Sequence, residues 1–247
     1  MPNNHRFACA LMMLTGACVS SPLQQIPPRM PEAGAGILDG AANGGRVQSI
    51  AVNPRDRNNA IIANQFGGMW KTYGAGSAWF RIFTLPQVYV TDLAYSPDGG
   101  TVVAAVFRDN AVQPGGGGLY VSRTNGDFWS RPATGVVPGA MPGSAYSVSP
   151  APDERGLWYA GTDAGVAVSQ DDGASWTHRN LGASPVQSVL AFPGGSVLAM
   201  DQGNVWRSDD RGASWRAVIQ DDFSQSAPSN GNVGVSGNKM DRAPGRP

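Results

Sequence analysis

Asp171 and Asp210 are the carboxylates whose surroundings recur most closely. Each stands third in an eight-residue frame, Ser169-Gln170-Asp171-Asp172-Gly173-Ala174-Ser175-Trp176 and Ser208-Asp209-Asp210-Arg211-Gly212-Ala213-Ser214-Trp215. A carboxylate among hydroxyls could hold calcium or touch a surface ligand. It could also cap its own turn, accepting hydrogen bonds from nearby backbone N–H groups while the glycine takes positive φ without steric cost. The fixed Asp-to-Gly-to-Trp spacing favours the capping role. Other chemistry is poorly supplied. His5 and His178 are the only histidines and Cys9 and Cys18 the only cysteines, so no His/Cys cluster is spaced for zinc, and no cofactor is expected. Gly115 to Gly118 follow Gln113-Pro114, but no Lys-Ser/Thr comes after them, as a phosphate cradle would need. Eighteen basic and 18 acidic side chains give a net charge of zero, and no basic tract points to nucleic acid.

Two looser copies of the frame lie upstream, Ser122, Thr124, Gly126, Phe128, Trp129 and Thr72, Gly74, Gly76, Ala78, Trp79. Trp79, Trp129, Trp176 and Trp215 thus recur every ~40 to 50 residues, the period of repeated supersecondary units. Each frame is preceded by a short apolar run: Met69-Trp70, Leu119-Tyr120, Val166-Ala167-Val168 or Val205-Trp206. Two further strand signals precede each run: 46–52 with 60–63, 90–95 with 101–105, 145–148 with 157–160, and 186–192 with 196–199. Turn-forming residues separate the members of each pair, such as Asn53-Pro54 and Ser96-Pro97-Asp98-Gly99. Four antiparallel strands per unit predict an all-β chain, a β-propeller with about four readable blades over 45–219, complete or partial. With 33 Gly and 19 Pro, the composition suits a loop-rich β globule. The frame tryptophans are expected between neighbouring sheets, and Trp70, Trp158 and Trp206 in the core, with a sugar platform as the alternative for one at a blade edge.

The Ser-x-Asp-x-Gly-x-Ser-Trp frame resembles the Asp-box, or bacterial neuraminidase repeat, shared by sialidases, sortilin-type receptors, xyloglucan-degrading glucanases and photosystem II assembly propellers. The phrase Gly45-Arg46-Val47-Gln48-Ser49-Ile50-Ala51-Val52-Asn53-Pro54, leading to Gly67-Gly68-Met69-Trp70-Lys71, resembles first blades of that superfamily. The resemblance implies that Ser169, Asp171, Gly173, Ser175 and Trp176, Ser208, Asp210, Gly212, Ser214 and Trp215, and Ser122, Gly126, Trp129, Gly76 and Trp79 are structural. It also brings enzymes into view. Phe80-Arg81-Ile82-Phe83 resembles the Phe-Arg-Ile-Pro signature of sialidases but ends in Phe and follows a frame rather than preceding the first one. With only Glu32 and Glu154, the Tyr/Glu pair of that family is hard to build. In the glucanases two carboxylates face a cleft, one of them in a first-blade Thr-Asp-x-Gly-Gly segment; Gln65 occupies that place here, and an amide cannot act as general acid or base. Asp163, in Thr162-Asp163-Ala164-Gly165, keeps the local form and is the one catalytic candidate, though it could equally cap the turn there.

At the N-terminus, His5 and Arg6 precede an apolar stretch and small residues that lead to Cys18, the three-part form of an export signal over 1–18. Leu14-Thr15-Gly16-Ala17-Cys18 resembles a bacterial lipobox, implying lipidation of Cys18 and a cell-envelope lipoprotein. Plain cleavage after Ala17 and a buried apolar N-terminus are the alternatives. Residues 19–44 then read as a Pro/Gly-rich tether, or in part as a strand that closes a ring, and 220–247 as a disordered tail. The expectation is an exported, non-catalytic propeller binding a protein or glycan partner, with Arg55, Asp56, Arg57, Arg108, Asp109 and Asp153 as loop contacts. The alternative is a glycoside hydrolase.

Overall fold

The computed structural model describes residues 46–65, 67–85, 89–108, 116–132, 143–179, 181 and 185–220. Among them the chain is strand and turn, apart from one 3-10 turn at Pro193–Gly195. Blade 1 holds β1 (Val47–Val52), β2 (Ala60–Asn64), β3 (Gly68–Thr72) and β4 (Phe80–Ile82) in sequence order. Blade 2 holds β5 (Tyr89–Tyr95), β6 (Val102–Phe107) and β7 (Gly118–Ser122). Its outer edge is a single bridge from Val121 to Ser130. Blade 3 holds β8 (Ala145–Pro150), β9 (Trp158–Thr162), β10 (Gly165–Ser169) and β11 (Thr177–Arg179). Blade 4 holds β12 (Ser188–Ala191), β13 (Val197–Met200), β14 (Asn204–Ser208) and β15 (Arg216–Gln220). Every pairing is antiparallel, as expected of units joined by tight turns. The expected signal and tether, Cys18 and Asp109 lie outside the described residues, as does the expected tail except for Gln220, which ends β15.

The first strands of the blades lie side by side, β1 against β5, β5 against β8 and β8 against β12. They form the inner wall of an arc. This position suits Pro150, which ends β8, because an inner strand has one edge without a ladder partner and can dispense with an N–H there. Aligned on the prolines at 54, 97, 152 and 193, one inner position carries Ser49, Asp92, Ser147 and Ser188, and all four are buried. At three joints this polar group accepts a backbone N–H from the next inner strand. Leu93 donates to Ser49 Oγ at 3.1 Å, Val148 to Asp92 Oδ2 at 3.1 Å and Val189 to Ser147 Oγ at 3.2 Å. The Leu93 amide is shared with Asp92 Oδ1 at 2.9 Å, and at each joint the side chain both satisfies an inner-edge amide and sets blade against blade.

Apolar burial lies between the blades as three clusters. Ile61, Met69, Val102 and Tyr120 join blades 1 and 2; Val103, Leu119, Trp158 and Ala167 join blades 2 and 3; Tyr159, Val166, Val189 and Val197 join blades 3 and 4. β2, β3, β7, β9 and β10 are buried on both faces, so their sequences are mostly apolar or small rather than alternating, with Lys71 in β3 and Asn64 in β2 as buried polar exceptions. Between the outer face of β1 and blade 4 no comparable contact is present among the described residues, and Ile50 and Val52 are 60 % and 48 % exposed. The four blades form an open arc.

Candidate functional site

The frames are stapled turns. Asp171 Oδ1 accepts the Ser175 amide and the Ser169 hydroxyl, both at 2.8 Å, while Ser169 Oγ accepts the Gly173 amide at 2.9 Å. Asp210 repeats this with Ser214 N–H at 2.8 Å and Ser208 hydroxyl at 2.7 Å. In blade 2 Thr124 Oγ1 takes the place of the carboxylate and accepts the Phe128 amide at 2.8 Å; in blade 1 Thr72 Oγ1 accepts the Gly76 amide at 3.0 Å. The glycines have φ between +80° and +89°, and so, less obviously from sequence, the residue before each is also left-handed: Ala75, Asn125, Asp172 and Arg211. Hydrogen bonds from the Ser214 hydroxyl and amide hold the Asp210 carboxyl down at about 2. At Asp171 burial pushes upward and is outweighed by the bonds from Ser175 and Ser169. Among the described residues no group of three or more His, Cys, Asp or Glu gathers as a metal cage.

Trp129, Trp176 and Trp215 each pack into the cluster shared with the preceding blade and donate their indole N–H to the carbonyl of the turn glycine, at 2.9, 3.1 and 3.1 Å. Trp158 is 1 % exposed and Trp70 7 %, which removes both as sugar platforms. Arg81 lies on β4, the outermost strand of blade 1, and covers the ring of Phe83 just beyond it at 5.4 Å, so Phe80 to Ile82 are strand and Arg81 is not a clamp at the channel.

The β1–β2 type loops and the stapled turns share one end of the arc, which is laced between blades. Asn53 Nδ2 donates to Asn125 Oδ1 at 3.2 Å, Arg155 reaches Asp98 at 3.3 Å and Arg211 reaches Glu154 at 2.8 Å. Asp153, expected as a loop contact, accepts the Gly194 amide at 2.7 Å. Asp56 binds the Asn58 amide of its own loop at 3.1 Å, next to exposed Arg55 and Arg57. Arg108 stands at the opposite end, so the expected contacts do not form one group.

At that opposite end the inner strands begin, and there Tyr89, Phe107 and Tyr146 form a chain of rings with centroids 5.5 and 6.3 Å apart, tilted by 58° and 51°. Gln48 of blade 1 donates to the Tyr89 hydroxyl at 2.9 Å. Asp163 closes the group, accepting the Tyr146 hydroxyl on Oδ1 and the Ser144 amide on Oδ2 at 2.7 Å. Burial, then Asp163, push the Tyr146 phenol well above its ordinary value. A nucleophilic phenol needs the reverse shift. Blades 2 and 3 therefore supply one partly exposed aromatic surface, with Gln48 of blade 1 and the Asp163 carboxylate at its edges. Sequence reasoning found Asp163 but missed the rings, because Tyr89, Phe107 and Tyr146 sit at strand ends with no common spacing.

No family model matches the chain, and no curated protein matches it. Among solved structures, an ancestral GH74 enzyme superposes with a TM-score of 0.59 at 17% identity, covering 71% of this chain and 26% of that one. The extracellular domain of the putative hybrid two-component system BT4673 from B. thetaiotaomicron gives 0.54 at 12%, covering 71% and 22%. The RRP9 WD40 repeats give 0.52 at 13%, covering 69% and 50%. The chain thus spans between about a fifth and a half of these structures' lengths, and at such identities the likeness concerns the fold. The sheets, their order and these superpositions make the described chain a β-propeller arc of four blades.

Proposed function

We propose that this chain is a non-catalytic binding propeller of the Asp-box group, exported and held at the cell envelope by a lipid on Cys18, and that it takes a protein or glycan partner on the Tyr89–Phe107–Tyr146 surface. The carrying observation is that rings from blades 2 and 3 converge on one aromatic surface whose polar edges are Gln48 of blade 1 and Asp163 of blade 3, the composition that partner-binding patches favour. These tilted rings can receive an apolar side chain or a sugar face, while Gln48 and Asp163 orient its polar groups. The carboxylates of the repeats serve their own turns. The test is alanine at Tyr89 and Tyr146, with a photo-crosslinker at Phe107 in the native cell. A crosslinked species lost with either alanine supports the reading; crosslinking unchanged by both refutes it. Loss of envelope attachment in Cys18→Ser tests the anchor.

One observation favours a glycoside hydrolase as the second reading: Asp163 lies at the mouth of the aromatic surface, and the superposed GH74 structure is an enzyme. Purified protein should turn over neither sialosides nor β-glucans. Turnover that Asp163→Asn abolishes would replace the binding reading by the enzymatic one.

A further inference from the structure

The three joints between blades follow one rule, and it extends beyond the chain. In each, the stapled turn of one blade is pressed onto a cross-strand pair on strands two and three of the blade before it. A Cβ on Gly126 would lie 2.3 Å from Ile61 Cδ1; on Gly173, 3.0 Å from Val121 Cγ2 and 3.6 Å from Val103 Cγ2; on Gly212, 3.5 Å from both Tyr159 Cε1 and Val168 Cγ2. Ile61 with Lys71, Val103 with Val121 and Tyr159 with Val168 are register partners in β2–β3, β6–β7 and β9–β10. The corresponding partners in blade 4 are Leu198 and Arg207. They line a cleft of about 270 Å³ with Phe192, Pro193 and Ser196, on the face that points away from blade 3. That cleft is a seat for a stapled turn.

The other half of the match is at the opposite end of the arc. Among the described residues, Gly76, in the stapled turn of blade 1, has only the ring of its own Trp79 near the place of a Cβ, at 3.9 Å. Ile50 is 60 % exposed, whereas its counterparts Leu93, Val148 and Val189 are at most 6 % exposed against the preceding blade. On the incoming face Ile50 of blade 1 stands where Leu93, Val148 and Val189 stand in the later blades, each next to the inner polar position. One face has the turn and the other the seat.

We propose that two copies of this chain join head to tail into a single closed ring of eight blades, the Thr72–Trp79 turn of each copy seated on Leu198 and Arg207 of the other. A turn-to-seat joint is heterologous, so it must close into a ring or grow into a fibre. Eight blades lie within the range that propellers close. Closure removes both open faces at once and repeats a joint the chain already makes three times.

The test is the solution mass of the full chain by light scattering, with Ile50→Glu and Leu198→Glu. The wild type should run at twice the mass of one chain, 25.8 kDa. Each substitution places a charge in the joint and should raise the dissociation constant at least about a hundredfold. Mixing the two variants at high concentration should restore the double mass, since such a pair keeps one joint with both faces intact. Val52→Lys, on the same exposed face, replaces Ile50→Glu if circular dichroism shows that variant unfolded. A single-chain mass for the wild type would overturn the proposal and leave the faces to other residues of the same chain. An open series of larger masses would overturn closure. A dimer that survives both substitutions, or variants that never recover on mixing, would overturn the head-to-tail joint.

Discussion

Lys71 tests whether the physical account of the joints is right. Its side chain is 2 % exposed, and its ammonium lies 2.8 Å from Asp127 Oδ1, across the joint between blades 1 and 2. Tyr73 donates to the same oxygen at 2.8 Å, and the ammonium stands 4.5 Å from the centre of that ring. At 2.8 Å and an effective dielectric constant of ~20 the gross attraction is about 6 kcal/mol. Removing the ammonium from water costs several kcal/mol, so the pair is worth little net. Its two halves should therefore respond unequally. Asp127→Ala keeps the buried cation and removes its counter-ion, a change that costs roughly 3–5 kcal/mol for a fully buried pair. Asp127 is 45 % exposed, so water can take its place, and about 2–3 kcal/mol is expected. Lys71→Met removes the charge and keeps the volume; the same register position holds Val121 and Val168 in blades 2 and 3, so stability should stay within about 1 kcal/mol of wild type. Urea unfolding of both single variants and the double variant gives the coupling, expected near 2 kcal/mol. An Asp127→Ala cost below about 0.5 kcal/mol, or a Lys71→Met cost above about 2 kcal/mol, would refute the reasoning.

Gly126→Ala should destabilise by about 2–4 kcal/mol, from a left-handed φ of +86° and a methyl 2.3 Å from Ile61 Cδ1. Adding Ile61→Val should recover only the packing share in the same unfolding assay; full recovery would show that φ carries no cost. For Asp210, whose folded value is lowered from 3.8 to about 2, the stabilisation is present above pH 3.8 and lost as pH falls toward 2. The gap in melting temperature between wild type and Asp210→Asn should narrow over that window, and a gap constant down to pH 2 counts against the staple. Tyr73 is raised from 10.0 to about 12 by burial and then by its bond to Asp127, so its contribution is complete below pH 10 and lost through pH 12. Melts of Tyr73→Phe should approach wild type across that range, and parallel curves would contradict it.

The stapled turns could be read in sequence because their causes are local. Ser, Asp and Gly within six residues decide which amides are bonded and where φ turns positive, and the short strands on either side show as apolar runs between turn residues. The left-handed residue before each glycine was not visible, since Ala75, Asn125, Asp172 and Arg211 have no side-chain type in common. Burial of Lys71 was hidden for a different reason: its counter-ion is 56 residues away in the chain. The inner series Ser49, Asp92, Ser147, Ser188 could have been found by aligning the four prolines, but small polar residues in a strand carry no signal until the next blade presents an amide.

By itself the sequence determined the repeat and its strand content, both consequences of chemistry within one turn or one strand. Only the tertiary structure decided which loops share an end, that Tyr89, Phe107 and Tyr146 meet, that Asp163 touches a tyrosine, and that the arc has a turn at one end and a seat at the other. Those facts depend on how sheets stack across 40 residues or more, where burial and register between blades, not local preference, fix which side chains become neighbours.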